Sequence, residues 1–212
     1  MEKLNGLVAV DDLKSTFKKL SRTPDPEEQI EQIAYHFGKI MQSLGLDITT
    51  DSLKDTPLRV AEMFVNETFM GLNPANEPDI TLFKNEFSYD GMVIEKDIPV
   101  YSYCEHHFVP IIGKAHIAYI AKGEVIGLSK LNRITEYFSK RPQIQERLTI
   151  QIAEYLKKVM RINDVAVILS AQHLCVASRG VRHTGCATVT KSLHGEFLKE
   201  EKKSELLSLI KL

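Results

Sequence analysis

Residues 98–120 read IPVYSYCEHHFVPIIGKAHIAYI, so two apolar runs enclose a short stretch with one thiol and two imidazoles. The runs, 98–101 and 111–120, are rich in Ile, Val and Tyr, which is typical of β-strands. Within the second run, positions 115, 117 and 119 alternate with 116, 118 and 120. This alternation predicts a strand with one face more buried than the other. The stretch therefore predicts an antiparallel hairpin that carries its reactive side chains at the connection.

Cysteine and histidine spacing indicates a metal site. Cys104 and His107 lie three residues apart, a spacing that a tight turn can fold around one tetrahedral ion. His173 and Cys175 lie two apart at the end of a predicted strand, so they point to the same face. Cys104, His107 and Cys175 would leave a fourth position open for water, as in a hydrolytic zinc site, with His106 and His173 as acid–base groups. The alternatives are a structural site with four protein ligands, or buried cysteines with surface histidines.

Two further clusters indicate recognition of a nucleotide. The predicted helix 129–139 follows a glycine and carries Ser129, Lys130 and Arg133 near its start, where backbone N–H groups and the helix dipole favour an anion. Ser129 also fits as a simple N-cap. Glu146, in the next predicted helix, is able to accept two hydrogen bonds from an N–H/NH₂ edge such as that of guanine. Pairing with a neighbour on the helix surface also explains Glu146.

Two helices are predicted before the hairpin. Pro26 begins the first, and its apolar residues recur with a 3.6-residue period until Gly45. Thr56, which precedes a proline, begins the second, and Gly71 ends it. Arg59 lies in the first turn of this second helix, where the dipole disfavours a cation. Arg59 is therefore either a functional residue or a surface arginine whose stem packs along the helix.

The remaining sequence completes an α+β pattern with antiparallel strands. It predicts helices at 129–139 and from Pro142, strands at 165–171 and 184–193, and a helical tail at 196–212. By the texture of the sequence the chain divides into an N-terminal arm, 1–25, an N-terminal helical region, 26–72, and a domain of mixed strands and helices, 73–212.

Composition narrows the class of protein. No apolar run approaches the roughly 18–20 residues that span a bilayer, and the N-terminus lacks the pattern of a signal peptide. Three widely spaced cysteines argue against a disulfide framework, so we expect a cytoplasmic protein. Residues 1–100 carry 10 Lys/Arg against 18 Asp/Glu, whereas residues 101–212 carry 17 against 10. The basic half contains the Cys/His cluster, which suits an anionic substrate or nucleic acid, although a solvated charged surface also explains it.

Taken together, these stretches resemble GTP cyclohydrolase I of the type with a Cys/His zinc site. The resemblance rests on segments 55–60, 104–108, 127–133, 141–149 and 173–180, and covers roughly residues 26–198. It implies the tunnelling fold, in which an antiparallel sheet carries helices on one face and the sheets of several subunits join into a barrel. It also implies a homodecamer of two pentamers. On the same resemblance, residues 1–25 would be a variable arm, 26–72 an N-terminal extension of the fold, and 73–212 the catalytic domain.

The resemblance implies a role for each matching residue. The zinc ligands would be Cys104, His107 and Cys175, with one Zn²⁺ per subunit, and the proton-transfer residues His106 and His173. Glu146, supported by Gln145, would anchor guanine, and the triphosphate and ribose would be held by Ser129, Lys130, Arg133, Arg179 and Arg59. The substrate would be GTP, with no nucleic acid or membrane as partner. Zinc-activated water would attack guanine C8, giving formate and 7,8-dihydroneopterin triphosphate, the first step of tetrahydrofolate and pterin biosynthesis. Cys186 is assigned no role.

Three other functions fit parts of the pattern. A nitrile-reducing or pterin-synthase relative on the same fold would act on purines or pterins; the reductase would use its cysteine as a nucleophile and require NADPH. A zinc-stabilised module would bind nucleic acid through the basic half, although no zinc knuckle or helix-turn-helix signature is present. A plain oligomeric scaffold would carry inert cysteines.

Overall fold

A computed structural model describes residues 24–211 of the chain. The predicted arm therefore lies outside the described residues except for its last two positions. The chain divides into two compact units between Ala61 and Glu62. The boundary at residue 72, inferred from composition, stays a prediction.

Helix α1, Pro26–Ser43, dominates the described part of the first unit. The Asp25 carboxylate accepts a hydrogen bond from the backbone N–H of Glu28 at 3.0 Å and caps the helix, as expected for a polar residue before a proline. After the helix the chain turns at Gly45, where φ is +78°. The predicted bounds of this helix are confirmed. Of its apolar face, however, only Met41 is buried within one chain.

The second predicted helix changes character halfway along. Helix α2, Thr56–Met63, continues as a π-helix, Phe64–Thr68, and then as a 3₁₀ turn, Met70–Leu72. The backbone N–H of Phe69 donates to the carbonyl of Phe64, and the wider turn brings the centroids of their two rings to 5.2 Å, with the ring planes tilted by 56°. The prediction of one continuous α-helix to Gly71 was therefore wrong.

Five strands form the main sheet of the second unit, in the order β5-β2-β3-β6-β7. Their bounds are β2, Met92–Cys104; β3, Pro110–Ile120; β5, Pro142–Gln143; β6, Val165–His173; and β7, Thr188–Leu193. All neighbours are antiparallel except β2 and β5. A separate two-stranded ribbon pairs β1, Leu82–Lys84, with β4, Glu124–Ile126. The predicted hairpin is β2–β3, and the α+β class with antiparallel pairing is confirmed.

Two local predictions around the sheet were wrong. The strand predicted at 98–101 is part of a longer strand, β2, which already begins at Met92, because a register shift between Glu95 and Ile98, with Asp97 at φ of +58°, absorbs an irregular stretch. Pro142 begins no helix. It lies in β5, which pairs with the end of β2, and the helix begins at Gln145. Proline lacks the backbone N–H and so suits a short edge strand as well as a helix start.

Helices α3, Leu128–Ser139, and α4, Gln145–Met160, pack on one face of the sheet. A short helix, α5, Leu174–Ala177, follows β6 directly. The C-terminal helix α6, Glu200–Ile210, packs on the opposite face against a second apolar cluster that includes Ile120 and Ile168. The prediction of helices on one face alone therefore fails at this end. None of the helices within 24–211 is long and apolar enough to cross a membrane.

Candidate active site

The connection between β2 and β3 is a tight turn that begins at Cys104, the last residue of β2. The Cys104 carbonyl accepts hydrogen bonds from the backbone N–H groups of His107, at 3.2 Å, and Phe108, at 2.8 Å. Phe108 takes a positive φ of +52°, which is uncommon for a non-glycine residue and closes the turn. The Cys104 N–H donates to the carbonyl of Val109 at 2.9 Å. The backbone thus directs the thiol and the imidazole of His107 to the same side.

Cys104, His107 and Cys175 form one group whose ligand atoms all lie within 4.8 Å of one another. The Cys104 Sγ atom is 3.6 Å from His107 Nδ1. A tetrahedral zinc ion with bonds of about 2.3 Å to sulfur and about 2.0–2.1 Å to nitrogen sets its S and N ligands about 3.6 Å apart. Burial raises the pKa of the Cys175 thiol, and the adjacent Cys104 thiol raises it further. Two neighbouring thiols and an imidazole therefore suit a soft divalent cation, which would favour their deprotonated forms.

His106 lies beside this group but is not a member of it. Its Nδ1 atom is 3.7 Å from Cys104 Sγ, and its Nε2 atom is 3.9 Å from the Glu105 carboxylate. The imidazole is exposed. This position leaves His106 open to a substrate next to the candidate metal site.

His173, at the end of β6, is fixed by Gln145 from the start of α4. The Gln145 amide NH₂ donates to the carbonyls of Leu169 and Thr188 and to Thr190 Oγ1, at 3.1, 2.8 and 3.1 Å. Its Oε1 atom therefore faces His173 Nε2, at 2.8 Å, and accepts a hydrogen bond from the Nε2–H group. His173 Nδ1 is then the nitrogen that remains for proton transfer.

These hydrogen bonds indicate a role for Gln145 that differs from the one predicted from the sequence. The sequence predicted a residue that supports guanine binding, but the side chain is 1% exposed and its hydrogen-bonding groups face β6, β7 and His173. Gln145 therefore supports the imidazole. Burial lowers the pKa of His173, and the nearby Glu146 carboxylate opposes that effect.

Glu146 and Arg179 lie near the Cys/His group and are both exposed. The Glu146 carboxylate opposes the lowering of the His173 pKa, and the Arg179 guanidinium partly opposes the rise in the pKa of Cys175, so both charges lie within electrostatic range of the group. The second unit thus brings together eight of the predicted residues at one end of the sheet: Cys104, His106, His107, Gln145, Glu146, His173, Cys175 and Arg179.

The remaining predicted residues lie on other elements of the chain. Three of them lie at the start of α3: Ser129, Lys130 and Arg133. In the same part of α3, the Asn132 amide donates to the Glu95 carboxylate at 3.3 Å. Glu95 precedes Cys104 by nine residues of β2, about 30 Å of extended strand. Arg59 belongs to the first unit, where its exposed guanidinium lies 3.5 Å from the Asp55 carboxylate.

Sequence reasoning missed a polar network behind the turn. The Arg147 guanidinium pairs with the Glu105 carboxylate and donates to Gln143 Oε1 at 2.9 Å and to the Pro142 carbonyl at 3.0 Å. Arg147 lies in the first turn of α4, where a helix disfavours a cation. The signal that singled out Arg59 was hidden for Arg147, because the helix was predicted to begin at Pro142, which placed Arg147 beyond its first turn.

Comparison with known proteins agrees with this geometry. The family model described as GTP cyclohydrolase I matches residues 33–211. A protein named GTP cyclohydrolase 1 from Flavobacterium johnsoniae is 54% identical over 186 residues, which are 88% of this chain and 83% of the relative. A relative of the same name from Aeromonas hydrophila is 46% identical over 188 residues, which are 88% of this chain and 86% of the relative. Another, from Salmonella choleraesuis, is 52% identical over 173 residues, which are 82% of this chain and 78% of the relative. The chain therefore belongs to the GTP cyclohydrolase I family.

Proposed function

We propose that this chain is a GTP cyclohydrolase I, which converts GTP to 7,8-dihydroneopterin triphosphate and formate, the first step of tetrahydrofolate and pterin biosynthesis. The observation that carries the proposal is the Cys104/His107/Cys175 group beside His173, in a chain 46–54% identical to enzymes of that name. The site lies within the predicted catalytic domain, 73–212. Its free thiols suit a reducing compartment, which supports a cytoplasmic location.

Cys104, His107 and Cys175 would hold one Zn²⁺ per subunit through two sulfurs and one nitrogen. Bound zinc acts as a Lewis acid and lowers the pKa of a water ligand from about 16 toward 7, which supplies a nucleophile for guanine C8 at neutral pH. The three-residue donor set leaves a coordination position for that water.

Glu146 would orient the base. Its carboxylate accepts hydrogen bonds from the N–H/NH₂ edge of guanine, and it lies on the same short segment as Gln145, which fixes His173. The segment therefore sets the recognised edge and the proton-transfer group at a fixed separation. Such positioning contributes several kcal/mol in well-oriented systems, on the order of 7–11 at the upper end.

His173 and His106 would move protons on the two sides of the metal group. With Nε2–H bound to Gln145 Oε1, His173 exchanges protons with the ring nitrogen through Nδ1 as the C–N bond opens. His106 is exposed beside Cys104 and is placed to serve the second hydrolysis, which releases formate. Arg179, close to Cys175, would hold the anionic end of the substrate.

A complete site would need a neighbouring copy of the chain. Ser129, Lys130 and Arg133 lie toward the far end of β2 from Cys104, so in one chain they do not reach a substrate held at the metal group. In a barrel of joined sheets the neighbour supplies them. Within the part of the chain that the structure describes, the sheet has an edge at β7 and a second along β2, where β5 pairs with Tyr103 and Cys104 alone.

These edges support the tunnelling-fold barrel, assembled as two pentamers. Exposed apolar side chains on α1 and at its C-terminal cap support a further contact between copies: Tyr35, Ile40 and Leu44. Arg59 would then act across subunits.

The test of the function is direct. Zinc-loaded protein incubated with GTP is expected to release formate and, after oxidation, a fluorescent pterin. Cys175→Ser should lose both bound zinc and turnover, whereas Cys186→Ser should keep both, because Cys186 is exposed and outside the metal group. Activity that survives removal of the metal, or absence of product from the wild-type protein, would exclude the proposal. Reduction of a nitrile with NADPH by metal-free protein would favour the reductase instead.

A further inference from the structure

Arg147 links three parts of the chain that meet behind the Cys104 turn. Its guanidinium contacts the Glu105 carboxylate in the turn, the Gln143 side chain and the Pro142 carbonyl in β5, while its own backbone belongs to α4. Only the fork of N–H donors in arginine serves three acceptors in one plane. The contact thus ties the turn to the helix that also carries Gln145 and Glu146.

The acceptors of Arg147 are themselves held in place. Gln143 is 1% exposed, and its NH₂ group donates to the Phe138 carbonyl and to Gln151 Oε1, both at 2.9 Å. The backbone N–H of Glu105 donates to the Gln143 carbonyl at 3.0 Å. The turn is therefore fixed on one side by backbone pairing with β5 and on the other by the ion pair with Arg147.

This network bears on the metal group because its ligands come from different elements. Cys104 and His107 belong to the turn, whereas Cys175 lies in α5 beyond β6. Motion of the turn relative to β6 would separate the sulfurs. Groups that orient the ligands of a metal from outside typically change its affinity by about 10–100-fold when removed.

We propose that Arg147, through its ion pair with Glu105, is a positioning residue that holds the Cys104–His107 turn in the geometry that binds the metal. This inference rests on the proposed function of the site as a zinc centre. The helix dipole disfavours a cation in the first turn of α4, so the ion pair with Glu105 in the β2–β3 connection explains why Arg147 lies there.

The test measures zinc affinity by competition with a chelator, together with the thermal unfolding of the metal-free chain. Arg147→Gln and Glu105→Gln are each expected to raise the zinc Kd by about 10–100-fold, and the double variant by little more than either alone. Arg147→Lys should recover only part of the affinity, because one ammonium cannot serve all three acceptors. The melting temperatures of the metal-free variants should lie close to that of the metal-free wild-type chain, because the substitutions weaken zinc binding more than they weaken the fold.

Gln151→Leu is the matched control, since it removes a hydrogen bond from the same network but none from the turn. An unchanged zinc Kd in Glu105→Gln, which alters only the turn end of the ion pair, would overturn the inference even if Arg147→Gln failed to fold. So would an equal loss of affinity in Gln151→Leu. If the wild-type chain binds no zinc, the proposed function fails instead.

Discussion

The separation of Lys130 and Arg133 from the metal group makes a quantitative prediction about mixed oligomers. Cys175→Ser removes a proposed zinc ligand, and the pair Lys130→Ala/Arg133→Ala removes cations that lie toward the far end of β2. Each variant alone should be inactive. If each site combines the metal group of one copy with α3 of a neighbour, an equal random mixture contains about one quarter complete sites.

The assay is formate release per subunit after the two variants, each with its own tag, are co-expressed and the mixed oligomers are isolated on both tags. Mixed oligomers of Cys175→Ser with wild type, isolated in the same way, calibrate the activity of intact sites beside variant copies and should show about half of the wild-type activity. Mixed oligomers without activity, in samples where this calibration holds, would refute the shared site. The metal group and the cations of α3 would then have to serve separate functions.

Three further predictions concern stability and turnover. Gly195→Ala should lower the free energy of unfolding in urea by about 2–4 kcal/mol, because a Cβ would lie 2.1 Å from the Asp164 carboxylate at φ of +58°. Gly123→Ala, also at positive φ but with open space around it, should cost only about 1 kcal/mol, and equal losses would contradict the clash. Burial lowers the pKa of His116, whose Nδ1 accepts a hydrogen bond from a backbone N–H of β2. The neutral imidazole therefore contributes to the free energy of unfolding above about pH 6.5, and this contribution is lost as the pH falls. His116→Asn should make the free energy of unfolding depend less steeply on pH on the acid side. Gln145→Leu should lower kcat by about tenfold or more at unchanged zinc content and destabilise the fold by about 2–4 kcal/mol, since buried carbonyls lose their donor; a variant with normal kcat would exclude a positioning role.

The elements that the sequence predicts well are those set by local pattern. Apolar alternation locates β3, and the 3.6-residue period with its proline and glycine signals bounds α1. The π-helix at Phe64–Thr68 has no such signal, because it depends on the packing of two rings and on the close approach of Gly71 to α3, where a Cβ would lie 2.0 Å from the Tyr137 carbonyl. Tertiary contacts decide what local propensity leaves open.

The candidate site follows the same division. Residue type and spacing identify Cys104, His107 and Cys175, because few chemistries use such a set. Neither the inward direction of Gln145 nor the distance from Lys130 to the turn can be derived from spacing in the chain. Both depend on which face of a helix meets the sheet and on how far β2 runs.

The strand order β5-β2-β3-β6-β7 also sets how the backbone exchanges its amide hydrogens with solvent. Central β3 has a partner strand on each side, so its amides should exchange only when the whole unit opens. Among the described residues 24–211, no strand pairs with the side of β7 that points away from β6, so these amides should become bonded when another copy pairs with them. Their exchange rate should therefore fall as protein concentration rises, while the rate in β3 stays constant. Within a single peptide map, β7 then reports assembly and β3 reports global stability.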